Sequence, residues 1–173
     1  MAILGTPRLR LVPMEDSHFD GLFDMNRDPE VMRYITGKPD TEQDTRDMIE
    51  RVKARWLQYG FSWWSFIEQE TGQIVGAGCI QYLGRDPANP HETGWRLRRD
   101  RWGRGYASEA AQAMAAWAFE SLKVPYLCAV CHQDNRASSH VMEKLGMTYK
   151  GIERWYEMDC AVYGMSDQQW LAR

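Results

Sequence analysis

No apolar run in these 173 residues approaches the roughly 20 needed to cross a bilayer, and the first residues lack a basic start followed by an apolar core. Both absences predict a cytoplasmic protein with no membrane partner. Basic charge is scarce too: lysine and arginine number 21 against 24 aspartates and glutamates, and a net charge of −3 argues against nonspecific binding to nucleic acid. No Gly-Lys-Ser or Gly-Lys-Thr occurs, which excludes a Walker loop. Cysteine is limited to Cys79, Cys128, Cys131 and Cys160, and Cys128-Ala-Val-Cys131-His132 reproduces the C-x-x-C-H pattern of covalent haem attachment. Haem attachment requires export, however, and Tyr126 to Cys131 reads as a buried strand. Residues three apart in a strand lie about 10 Å from each other, too far for a disulfide. No third and fourth ligand converge by spacing, so no metal is expected. The cysteines read as small buried hydrophobes in a reducing compartment.

What is present is ordinary globular material, 44% apolar and 26% charged, of a length that fits one domain over residues 1–173. The chain is organised around His91 to Ala118. Thr93, Trp95 and Leu97 alternate with Glu92, Gly94 and Arg96 as the two faces of a strand. After Trp102-Gly-Arg-Gly-Tyr-Ala-Ser-Glu109, the residues Ala110, Ala111, Met114, Ala115 and Ala118 recur at helical spacing. Strand, glycine loop and helix N-terminus together make an anion site from backbone N–H groups. Five arginines between positions 96 and 104 favour a phosphorylated ligand. The dinucleotide pattern G-x-G-x-x-G fails, because position 108 is Ser.

Around this motif, Arg8 to Val12 reads as a first strand and Phe19 to Met25 as an amphipathic helix. Pro39-Asp-Thr-Glu-Gln-Asp opens a second helix that closes at Tyr59-Gly60. Phe61 to Glu68 and Gln73 to Tyr82 read as a hairpin. Tyr126 to Cys131 follows the alanine-rich helix and should run parallel to the strand at 92–97 by the crossover rule. Asp134 or Asn135 caps a helix through Lys144, with Gly146 past its end. Thr148 to Trp170 reads as two strands that turn around Met158-Asp159.

Trp102 to Ala107 resembles the Q/R-x-x-G-x-G/A pyrophosphate loop of the GNAT N-acetyltransferases, and Gly-Tyr-Ala-Ser-Glu-Ala is similar to the form in the ribosomal-protein N-terminal acetyltransferase (RimJ/RimL-like) branch. Asn135-Arg-Ala-Ser138, followed by Val141-Met-Glu-Lys-Leu-Gly-Met147, resembles that branch's second signature in the right order and spacing. Pro7 to Leu11 and Asp28 to Ile35 resemble it as well, so the likeness covers nearly the whole chain. Trp102 stands where the wider superfamily has Gln or Arg, and Met147 where the branch has Phe.

The resemblance implies an α/β fold with a mixed twisted central sheet, helices on both faces and two splayed parallel central strands. It implies transfer of acetyl from acetyl-CoA to a primary amine, a protein N-terminal α-amine or a small-molecule amine, in a ternary complex. It also implies a monomer or homodimer. Pantetheine would pair with the backbone of Leu97 and its neighbours, and pyrophosphate would sit on the amides of Gly103, Arg104, Gly105, Tyr106 and Ala107, with Trp102 and Ser108 flanking. Arg98, Arg99, Arg101 and Arg104 are candidates for the charged periphery, and Tyr34 and Met32 for acceptor contact.

The chemistry needs a base for the ammonium, donors for charge on the thioester oxygen and a partner for the departing sulfur. Glu92 is the candidate base, with a strand-end carboxylate in solvent as the equal alternative. Tyr156 and Glu157 could supplement it. Ser138 matches the serine that contacts the coenzyme sulfur, and the position of the superfamily's usual tyrosine acid is Met142. Asn135 matches the asparagine that contacts coenzyme or caps the helix. A protein that binds acyl-CoA without turnover is the second reading.

Overall fold

A computed structural model describes residues 1–173. The strands are β1 (Leu4–Gly5), β2 (Leu9–Pro13), β3 (Trp63–Glu68), β4 (Ile74–Tyr82), β5 (His91–Leu97), β6 (Tyr126–His132), β7 (Thr148–Trp155) and β8 (Met158–Ser166). The helices are α1 (Phe19–Asn26), α2 (Pro29–Met32), α3 (Glu42–Tyr59), α4 (Tyr106–Glu120), α5 (Arg136–Leu145) and α6 (Asp167–Leu171). One open eight-stranded sheet runs in the order β1-β2-β3-β4-β5-β6-β8-β7, and only β5 and β6 pair in parallel. No helix is long and apolar enough to cross a membrane.

Local chemistry accounts for most of these elements. Thr41 and Asp44 close a reciprocal capping box at the start of α3, and Gly60 ends it at φ 78°. Thr45, Ile49, Val52 and Trp56 recur every three or four residues and form its buried stripe. The alanines of α4 let that helix sit close on β4, where Gly78 is required: a Cβ there would lie 2.8 Å from Met114 Cε and 2.9 Å from the Gly94 carbonyl oxygen. So α4 covers one face of the centre. On the other face α1 lies on β4 and packs against α3.

Three features depart from the sequence expectation. The turn between β7 and β8 falls at Tyr156–Glu157, not at Met158-Asp159, and both residues are left-handed, at φ 53° and 63°. Neither is glycine or asparagine, so the usual turn signal is missing. The two-residue strand β1 is too short to leave a periodic trace. The end of the chain is helical, because Ser166 and Gln169 form a capping box and Trp170 stacks on Phe119 at 5.4 Å between ring centres. All four cysteines are buried and unpaired. Burial pushes the Cys128 thiol up to about 12 and the Cys131 thiol to about 11, so neither is a ready thiolate ligand or nucleophile.

Candidate active site

The centre of the sheet is open. β5 keeps register with β4 over its whole length, and β6 with β8 over its whole length, but β5 and β6 share only His91↔Leu127 and Glu92↔Cys128. Beyond Glu92 the two strands part. The Arg98 N–H donates to the Val75 carbonyl, which fixes the alternation: even-numbered residues of β5 bond to β4, and Trp95 and Leu97 turn their backbone groups into the gap. The indole Nε1 of Trp102 donates to the Leu97 carbonyl at 3.0 Å. That leaves the Leu97 N–H and both groups of Trp95 free for an added strand-like ligand.

The gap widens into a cleft of about 500 Å³. Of the candidate coenzyme residues, Leu97, Trp102, Gly103, Gly105, Tyr106, Ala107, Ser108, Asn135 and Ser138 line it, and Arg104 does not. None of the N–H groups from Gly103 to Ser108 has an acceptor within the protein; the first that does is Glu109, on the Gly105 carbonyl. These donors are held at left-handed glycines, Gly103 at φ 74° and Gly105 at φ 80°. A Cβ at Gly103 would meet nothing within 4 Å, so the loop presents bare backbone to the cleft.

The loop is fixed from β3, a device the sequence did not reveal. Buried Glu68 accepts from Arg101 Nε at 2.9 Å, from the Tyr106 hydroxyl at 2.6 Å and from Thr71 Oγ1 at 2.8 Å, clamping both sides of the glycines. Arg101 and Tyr106 hydrogen bonds hold its carboxyl down at about 2. The Tyr106 side chain is therefore an anchor, and only its backbone faces the cleft.

Glu92 lies at the last shared pair of β5 and β6, outside the residues that line the cleft. It is buried, 4% exposed, which rules out a strand-end carboxylate in solvent. Its Oε1 accepts from Gln81 Nε2 at 2.8 Å and from the Tyr156 hydroxyl. Its Oε2 has no protein partner, yet is not sealed from solvent. Burial raises the carboxyl to about 7, against the opposing pull of the Tyr156 and Gln81 hydrogen bonds. Tyr156 is raised in turn by burial and by the Glu92 charge, so it stays a hydrogen-bond donor. A carboxylate that titrates near neutrality, with one oxygen held and one free, is suited to accept a proton. Glu157 is exposed in the turn.

This geometry meets a direct match. Residues 8–148 match the acetyltransferase (GNAT) domain family. The chain belongs to the GNAT acetyltransferases. It is 34% identical to the Bacillus subtilis (strain 168) protein YkkB over 161 residues, covering 92% of this chain and 93% of that one. The crystal structure of a GNAT-family acetyltransferase from Bacillus anthracis superposes with a TM-score of 0.83 at 25% identity, over 96% of this chain and 99% of that chain. The fold is shared as well by RimL, a ribosomal L7/L12 alpha-N-protein acetyltransferase solved with coenzyme A. There the TM-score is 0.80 at 17% identity, over 95% of this chain and 98% of that one.

The GNAT family uses acetyl-CoA, and the free amides and open strand edge described above fit its pyrophosphate and pantetheine. The arginines divide unexpectedly. Arg98 pairs with Asp24 and Asp100, Arg99 with Asp28, and Arg101 with Glu68 and Asp100. These three are committed to the protein's own carboxylates, and the local excess of arginine overstated the charge free for a ligand. Arg104 alone of the four peripheral candidates has no such partner. Replacing it with alanine should weaken acetyl-CoA binding more at low salt than at high, as calorimetry across a salt series would show, because exposed charge is screened. Arg33 and Lys144 also line the cleft and were not singled out from the sequence. For Lys144 the signal was available: Ala137, Ser138, Val141 and Lys144 share one face of α5.

Asn135 caps α5, its Oδ1 accepting from the Ser138 N–H at 3.3 Å. Ser138 lies in the first turn of that helix beside the cleft. Tyr34 lines the cleft and packs tilted against His132 of β6, with ring centres 5.0 Å apart. Met32 does not face it: that side chain is 1% exposed, and its sulfur accepts from Arg96 Nη1. Met142, where the superfamily places its acid, is buried in the core.

Proposed function

We propose that this GNAT acetyltransferase transfers acetyl from acetyl-CoA to a primary amine, a protein N-terminal α-amine as in the RimJ/RimL-like branch or a small-molecule amine. Residues 1–173 act as one domain in the cytoplasm, as monomer or homodimer, without metal, nucleic acid or membrane. The observation that carries this reading is the buried, half-held Glu92 at the point where β5 and β6 part.

Acetyl-CoA supplies an activated thioester. The Trp95 and Leu97 N–H groups orient its arm and offer a donor to the thioester oxygen, while the amides from Gly103 to Ser108 hold its pyrophosphate. Glu92 Oε2, directly or through water, takes a proton from the acceptor ammonium, and the nitrogen lone pair so released forms the new C–N bond as the C–S bond breaks. Ser138 positions the departing sulfur, which leaves as thiolate and takes up, directly or through water, the second proton that the acylated nitrogen sheds on becoming the amide. A serine hydroxyl is a poor acid at neutral pH, so Ser138→Ala should lower turnover only about tenfold, the loss of one contact of about 1 kcal/mol. A fall of several orders of magnitude in steady-state assays would make Ser138 the acid instead. The whole reading is tested by incubating the protein with acetyl-CoA and a panel of amines while following free thiol. Release that depends on the amine supports transfer, and tight coenzyme binding without release for any amine overturns it.

A further inference from the structure

Arg96 stands apart from its neighbours. It shares a face of β5 with Glu92 and Gly94, lines the cleft, and forms no ion pair, whereas Arg98, Arg99 and Arg101 all do. Its Nε is buried without an acceptor. Its Nη1 reaches only Asn26 Oδ1 at 3.3 Å and Met32 Sδ at 3.4 Å, both uncharged. The Asp40 charge partly offsets the burial of this guanidinium but makes no ion pair with it, and Asp40 Oδ2 already accepts from Thr45 Oγ1. A desolvated guanidinium without a counter-ion is costly, and an unpaired N–H adds to that cost.

The surroundings join this cation to the candidate base. The guanidinium lies over the Trp63 ring, 5.0 Å from its centre. Trp63 Nε1 donates to Gln81 Oε1 at 3.1 Å, and Gln81 Nε2 donates to Glu92. The Cα atoms of residues 92 and 96 are roughly 13 Å apart along a strand. Trp63 pairs with Cys79, itself opposite Gly94, so the stacking contact draws the guanidinium back toward the row of Gly94. At Gly94 an added Cβ would meet only Cys79 Sγ, at 3.7 Å, so no side chain fills the strand face between base and cation.

We infer that the acceptor is a small amine that also carries a carboxylate, an amino-acid-like zwitterion, whose anionic end binds the cleft-facing side of the Arg96 guanidinium while its amine faces Glu92. This rests on the acetyltransfer to an amine proposed above. A carboxylate neutralises the unpaired charge, and guanidinium is the cation best matched to it in shape.

The test uses free amino acids, the corresponding amino-acid amides and short peptides ending in acidic residues, each with acetyl-CoA and a thiol-release readout. Rates are compared per neutral amine. The unmutated protein should favour acids over their amides by tenfold or more in kcat/KM. Arg96→Gln should erase that preference, mainly by raising KM for the acids, with a far smaller effect on the amides and on coenzyme affinity measured by calorimetry. Arg96→Lys, which keeps the charge and loses the fork, should recover part of the preference. If Arg96→Gln fails to fold, the acid-to-amide ratio of the unmutated protein and of Arg96→Lys decides. Equal use of acids and amides, a preference for peptides over free amino acids, or an equal loss on both acceptor classes in Arg96→Gln would make Arg96 a structural strut and overturn the inference while leaving amine acetylation intact. Selective loss in Arg85→Gln instead would move the anion site to the small cavity between Arg55 and Arg85 beside Gln81. No turnover of any amine overturns the functional proposal itself.

Discussion

Replacing Glu92 with glutamine lowers kcat/KM by roughly 100-fold to 10,000-fold, the range of a general base, while acetyl-CoA affinity barely changes. Glutamine keeps the shape and can still accept from Tyr156, but it cannot take a proton. In the unmutated protein the rate rises with pH through about 7, where Glu92 ionises, and in the variant that inflection disappears. The defect shrinks for amines of low pKa, whose protons solvent can remove. Stability moves the opposite way. The Glu92 carboxyl is raised from an ordinary value of 4.5 to about 7 in the folded chain, so its contribution is fully present below about pH 4.5 and lost as pH rises through 7. Glu92→Gln carries no such penalty, so its melting temperature relative to the unmutated protein should be higher at pH 8 than at pH 5. Full activity for Glu92→Gln on its best acceptor across the pH range would falsify the role and turn attention to solvent.

Gly105→Val abolishes detectable acetyl-CoA binding in a protein that still folds. Gly105 sits at φ 80°, where a β-branched residue is strained by about 1–3 kcal/mol. Within the protein, an added Cβ would meet only the far end of Arg8, Nη2 at 3.4 Å. The core therefore survives, and the cost falls on the loop, whose amides must all point the same way. Circular dichroism reports the fold and calorimetry the binding. Near-normal affinity in a folded Gly105→Val protein would remove the phosphate role from residues 103–108.

Much of this was legible from local chemistry. The turn from β5 through the glycines into α4, the capped start of α3 and the parallel placement of β6 follow from periodicity, glycine and crossover handedness. Partnerships between distant residues were not legible. The environment of Glu92 depends on Gln81 in the neighbouring strand and on Tyr156 in a turn 64 residues away. The loop is clamped by Glu68, which looks in sequence like the polar end of a strand. Three of the arginines that suggested a phosphate field are neutralised by Asp24, Asp28, Asp100 and Glu68, spread over most of the first hundred residues.

The two shared register pairs of β5 and β6 also have a mechanical meaning. The sheet is close to two separate plates, β1 to β5 and β6 to β8, riveted at one end by His91↔Leu127 and Glu92↔Cys128 and strapped by α4. A ligand strung along Trp95 and Leu97 splints the fracture between them. Glu92 sits at the rivet, so the candidate proton acceptor is held by strand pairing at the point where the ligand's gap begins.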